Sequence, residues 1–215
     1  MRRPAVVSRL PAGSPFRAVA SRRAVPVDGA ADVPTTMAAL STCVETALRD
    51  LLGVELAVAV RPVAGPTAGV APAAASAFVS TGGPLHRGAT TTVTATADGV
   101  SLEVTGAGRL VCDVAAVRTS SPAEWDRSLA EHAALAREAA ELAGESHDQA
   151  ACRTGAVLRC LRRLHLPTYV PLTLAPASRS GWLVYVSGTL RVATHVVPGP
   201  REQPVVLAVL TDGWT

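Results

Sequence analysis

Residues 150–163 read AACRTGAVLRCLRR, inside a stretch from His147 to His165 that carries a helical period. At about 100° per residue, Ala150, Val157, Leu161 and Leu164 gather on one arc, while Arg159, Arg162 and Arg163 fall on the opposite side. The stretch predicts a helix with a core-facing stripe and a basic face that is either solvated or binds phosphate or an acid. Arg153 lies between the two arcs and is the best single candidate for a structural or ligand-binding guanidinium. Ser146 with Gln149 forms a capping box that opens this helix. Just upstream, Ser121-Pro122-Ala123-Glu124 is a second capping box with proline at the first helical position, and Trp125, Leu129, Leu135 and Leu142 continue one face as far as Gly144.

Outward from these helices the period changes to two. Arg109 to Asp113 reads as a strand that ends on an acid, and Thr91–Thr96 with Val100–Val104, joined by Asp98-Gly99, carries a strong hairpin signal. Glu55 to Val60 alternates as ELAVAV. Before it, Leu40, Val44, Leu48, Leu51 and Leu52 recur at helical spacing from Met37 onward, Glu45 and Arg49 form an i,i+4 pair, and Gly53 is a stop. Arg61 to Ala89 is Pro/Gly/Ala-rich, with one short helix expected from Pro72 to Val79 and a loop at Thr81–Pro84. Later strands are expected at about Val170–Leu174, Trp182–Ser187, Leu190–His195 and Val205–Leu210.

This order of elements predicts an α+β fold, loosely duplicated, although no sequence repeat accompanies the duplication. Residues 1–34 lack either period and predict a mobile arm; residues 35–215 form one domain, with halves at about 35–113 and 114–215.

Composition narrows the chemistry. All 20 basic residues are arginine, so Schiff-base and lysine-base chemistry is excluded, while forked guanidinium groups suited to phosphate are plentiful. A net charge of +3 without a concentrated basic face argues against nucleic acid. With 3% aromatic residues, the core must be filled by Val, Leu and Ala. Cys43, Cys112, Cys152 and Cys160 show no metal spacing and read as small buried hydrophobes of a reducing compartment. No spacing places His86, His132 or His195 beside Cys112 as a thiol catalytic set. The amino terminus has no apolar core of signal-peptide length, and no run approaches a membrane span. These readings place the chain in the cytoplasm, away from membranes.

Several stretches together carry a family likeness: AALSTCVETALRDLL at 38–52, VTGAGRLVCDV at 104–114, EWDRSL at 124–129, the arginine helix, PLTL at 171–174 and VVLAVL at 205–210. From Leu40 onward the chain resembles the phosphopantetheinyl transferase domain at the C-terminal end of enediyne polyketide synthases, and stand-alone transferases of the same superfamily. The resemblance implies two similar subdomains, each a helix packed on a small antiparallel sheet. It also implies a reaction in which a serine hydroxyl of an apo acyl carrier protein attacks the β-phosphate of coenzyme A and releases 3′,5′-ADP. Such chemistry needs carboxylates holding Mg²⁺ on the diphosphate, cations on phosphate oxygens and a base for the serine proton.

Here the chain departs from the pattern. Asp113 is retained as the implied metal ligand, but the second acid is replaced by Ala115, the tryptophan by Gly155, the glutamate by Arg159 and the lysine by Arg163. The Ser-His pair before the hairpin is missing, with Thr94 and Thr96 in that neighbourhood. Arg153, Arg163, His86 and Arg87 are the implied coenzyme A contacts, His86-Arg87-Gly88 being similar to a phosphate-holding loop of the family and, taken alone, an exposed basic loop. Two readings follow. One is a catalytically degenerate protein of polyketide biosynthesis that binds a carrier protein, a synthase or a repurposed ligand. The other is an active transferase in which Asp113 works with Glu124 or Asp148. Both acids also fit helix-start roles, Glu124 in the capping box and Asp148 in the first turn.

Overall fold

The computed structural model describes residues 33–63, 90–167, 169–175, 181–199 and 203–212. Its elements are α1 (Val33–Leu52), β1 (Leu56–Pro62), β2 (Thr90–Ala97), β3 (Val100–Ala107), β4 (Leu110–Ala116), α2 (Pro122–Leu129), α3 (Ala133–Ala143), α4 (His147–Arg163), β5 (Thr173–Leu174), β6 (Trp182–Ser187), β7 (Leu190–Val197) and β8 (Val205–Thr211). The fold is α+β, and these residues all fall in one compact unit, Ala31–Thr215. The helix expected at Pro72–Val79, the loop at Thr81–Pro84, and His86, Arg87 and Gly88 lie outside the described residues. So does the expected arm, except that α1 already begins at Val33. No helix among the described residues is long and apolar enough to cross a membrane.

Two antiparallel sheets organise the chain, a three-stranded one in the order β1-β3-β2 and a five-stranded one in the order β4-β8-β7-β6-β5. The β2–β3 hairpin turns at Asp98 and Gly99, both with positive φ of 47° and 79°, the conformation that a two-residue turn with right-handed strand twist requires. Val93, Ala95, Val100, Leu102 and Val104 point inward and pack with Val44, Leu48 and Leu52 of α1 against one face of the larger sheet, through Val184, Ala193, Leu207 and Val209. Its opposite face, Leu183, Tyr185, Val192, Ala208 and Leu210, packs under the later helices with Val157 and Leu161 of α4. Being covered on both sides explains β8: VVLAVLT lacks alternation because every one of its residues is buried.

Each half thus has a helix on an antiparallel sheet, but the strand orders differ: β1-β3-β2 in the first half, and a β6-β7-β8 meander in the second. The division expected between 113 and 114 falls inside β4, which pairs along its length with β8 and so belongs to the second sheet. The single helix expected from Ser121 to Gly144 is also divided. After Leu129 the chain makes a 3₁₀ turn over Ala130–His132, with Ala130 at φ 50°, before α3 begins. That break turns Leu142 out to solvent, and Ala136 and Ala139 take the core positions.

The free edge of β1 is covered by α1. Ser41 Oγ accepts from Val60 N at 2.8 Å and Glu45 Oε2 from Val58 N at 3.1 Å, so side chains four residues apart on the helix satisfy successive outward N–H groups of the strand. Glu45 also pairs with Arg49 at 3.2 Å, as its spacing implied. The double variant Ser41→Ala, Glu45→Ala is expected to lose about 2 kcal/mol of stability in urea unfolding and, with the edge bared, to show concentration-dependent self-association in size-exclusion chromatography.

Candidate functional site

Strand β4 sends Leu110, Cys112 and Val114 into the core it shares with the small sheet, and Val111 into the core under α4. Asp113, two residues on from Val111, shares its side and is fully buried. Both of its oxygens accept from guanidinium groups of α4: Arg159 Nε donates to Oδ2 at 2.8 Å and Arg163 Nη2 to Oδ1 at 2.8 Å. Arg163 Nη1 also donates to the carbonyl of Cys112. Burial holds the Asp113 carboxyl above the usual carboxylate range, and the charges and hydrogen bonds of Arg159 and Arg163 offset only part of that rise. Arg159 Nη2 is buried and has no hydrogen-bond partner among the described residues.

The basic face of α4 is therefore only partly solvated, and two of its three arginines hold an acid. Arg162 is exposed, but the Arg159 and Arg163 side chains are only 39% and 20% exposed, and Cys152 and Ala156 on the same side of the helix are buried. The reason is packing: α4 lies on β8 and β4 with α3 beside it, so most of its circumference is covered. Gly155 leaves room at this surface, since a Cβ there would sit 3.5 Å from Arg159 Nη1.

Arg153 has a different task from its neighbours. At 2% exposure it is among the largest buried side chains. Nε lies 2.9 and 3.0 Å from the two oxygens of Glu145, with hydrogen-bond geometry only to the farther, Oε2. Nη1 donates to the carbonyl of Thr194 at 2.7 Å and to its hydroxyl at 3.2 Å, and Nη2 donates to the carbonyl of Gly181 at 2.9 Å. This guanidinium ties the start of α4 to β7 and to the entry of β6. Its donors are spent on the protein, so of the two expected roles, structural and ligand-binding, it fills the first. Burial pushes Glu145 above the usual carboxylate range, with Arg153 opposing. Glu145 is the residue that sequence reasoning missed: between Gly144 and Ser146 it reads as loop, and only the return of the chain into α4 brings it onto Arg153.

Carbonyl Gly181 O receives a second contact, from His195 Nδ1 at 2.8 Å, and the His195 ring stacks on Trp182 with centroids 4.7 Å apart and planes 8° from parallel. Burial lowers the His195 pKa; the Gly181 contact opposes this and Arg153 adds to it. Trp182 and Tyr185 are both core residues, and Tyr185 Oη lies 3.3 Å from Thr154 Oγ1 of α4.

The remaining candidates are committed elsewhere. Glu124 Oε2 accepts from Ser121 N at 2.9 Å, the capping box read from sequence. Asp148 Oδ1 accepts from Trp125 Nε1 at 2.6 Å and Ser120 N at 3.3 Å, so it anchors α2 as well as opening α4. Cys112 is buried and its thiol is pushed up to about 12 by burial, far from a reactive thiolate. Cys152 and Cys160 are buried too, whereas Cys43 is exposed on α1, against the expectation that all four are buried.

As a Mg²⁺ ligand Asp113 does not fit. Both of its oxygens are taken by guanidiniums, Ala115 supplies no oxygen, and Arg159 brings a positive charge to the position of the implied glutamate. Among the described residues no three His, Cys, Asp or Glu side chains cluster as a metal site. Arg163, an implied coenzyme A contact, donates through Nη1 to Cys112 and through Nη2 to Asp113. Comparison with models of known families, with curated proteins and with solved structures finds no match for the chain.

Two outcomes follow. Asp113→Ala is expected to destabilise the protein by ~3 kcal/mol in urea unfolding, the low end for breaking a buried pair because Arg159 still reaches water. His195, neutral in the fold, binds a proton more readily once unfolded; its contribution is complete above the ordinary value of 6.5 and is lost as the pH falls through its lower folded value. The urea midpoint is expected to drop as the pH is lowered below 6.5, and less steeply in His195→Gln.

Proposed function

We propose that the chain is a cytoplasmic phosphopantetheinyl-transferase-like protein of polyketide biosynthesis that no longer carries out metal-dependent transfer and acts by binding an acyl carrier protein or a synthase. The observation that carries this reading is the closure of Asp113 by Arg159 and Arg163. A transferase of this type needs that carboxylate open toward Mg²⁺ and diphosphate; here the buried acid is held by two partly exposed guanidiniums. The family likeness rests on the sequence landmarks and on a helix-on-sheet plan in each half, and the differing strand orders weigh against a close structural duplication. With Arg153 and Arg163 engaged within the protein, the implied contacts to coenzyme A shrink to His86 and Arg87.

The test is mass spectrometry of an apo carrier domain from an enediyne-type synthase, incubated with the protein, coenzyme A and Mg²⁺, alongside calorimetric titration of the same domain. Saturable binding with no mass gain is expected, and Mg²⁺ is expected to leave both the binding and the thermal midpoint with coenzyme A unchanged. Gain of a phosphopantetheine mass would restore the active-transferase reading, and absence of carrier binding would sink the proposed partner.

A further inference from the structure

A second feature lies on the far side of the larger sheet from α4. Helix α1 covers that sheet only as far as Leu51 and Leu52; Gly53, at φ 70°, ends the helix and turns the chain away. Beyond this point the β5–β6 end of the sheet is left with a cavity of about 510 Å³, bounded by Asp50 and Leu51 of α1 and by Thr173, Ala175, Val184, Val186 and Arg191. Its volume is within the range of small-molecule sites, roughly 300–1,000 Å³.

Register explains its chemistry. Val186 pairs with Arg191 and Val184 with Ala193, so these side chains share the face that looks toward α1. Thr173 pairs with Val186, and Ala175 N donates to Val184 O at 2.8 Å, which brings both residues alongside. Leu51, Val184, Val186 and Ala175 form apolar walls packed onto the core behind them. Arg191 is exposed at the rim and has no ion-pair partner among the described residues, whereas Asp50 already has an interaction of its own. An apolar recess with one uncommitted guanidinium at its edge selects for a molecule with an apolar body and an anionic end, because the fork pairs bidentately with a carboxylate while the body leaves water.

We propose that this recess between α1 and β5–β7 binds an apolar carboxylate of fatty-acid type, with Arg191 holding the carboxylate. The proposal is independent of the Asp113 triad, which faces the other side of the sheet.

Isothermal titration of the full chain with decanoate and with decanol tests it, using Arg191→Gln to remove the charge and Thr173→Trp, at an exposed edge position, to fill the recess. Circular dichroism checks that both variants are folded. Saturable decanoate binding is expected, weakened about tenfold or more by Arg191→Gln and abolished by Thr173→Trp, with decanol binding unaffected by the first change. Absence of decanoate binding overturns the site. Binding of decanoate that is indifferent to Arg191→Gln overturns the carboxylate contact, and binding that survives Thr173→Trp overturns the location.

Discussion

A carboxylate carried into a protein interior must find cations or give up its charge, and Asp113 finds two. Arg159 and Arg163, one turn apart on α4, close on its two oxygens and fix the height and rotation of that helix over β4. Arg153, further back on the same helix, does the same over β7 by joining Glu145 to Thr194 and Gly181. With an ionic joint toward each of two strands and the apolar contacts of Val157 and Leu161 between them, α4 has little freedom to slide or roll. The larger sheet, buried on both faces along β8, is arranged around that fixed helix.

The same joints define what the candidate site offers. A site that holds a metal on a diphosphate needs carboxylate oxygens free of cations, and here each oxygen of Asp113 already accepts from a guanidinium of α4. Gly155 leaves room for a Cβ beside Arg159. The chemistry at this place is that of a structural strut, a buried carboxylate held by two partly exposed guanidiniums.

How much of this was legible in the sequence depends on the range of the interaction. Local signals were read closely: both capping boxes, the Asp98-Gly99 turn, the stop at Gly53, the Glu45–Arg49 pair and the span Trp182–Ser187 all appear where their residues placed them. The break after Leu129 was missed although the spacing hints at it, since Leu129 and Leu135 are six residues apart and cannot share one helical face. The basic face of α4 was left open between solvent and an acid, and Arg162 meets the first while Arg159 and Arg163 meet the second. A helical wheel gives directions around the axis but not what stands in each direction, and here β4 stands on the side of Arg159 and Arg163.

Sequence alone determined the α+β class, most of the strands and helices and the arginine-only basic complement, because these depend on residue identity and on contacts a few positions apart. Tertiary structure decided which arginines are buried, that Asp113 is shared between two of them, and that Arg153 belongs to Glu145 and to strands β6 and β7. Such pairings form across 41 and 46 positions of chain, where nothing in the local pattern selects one partner over another. They are settled by the low dielectric of a closed interior, which leaves a buried charge only those partners that packing brings within reach.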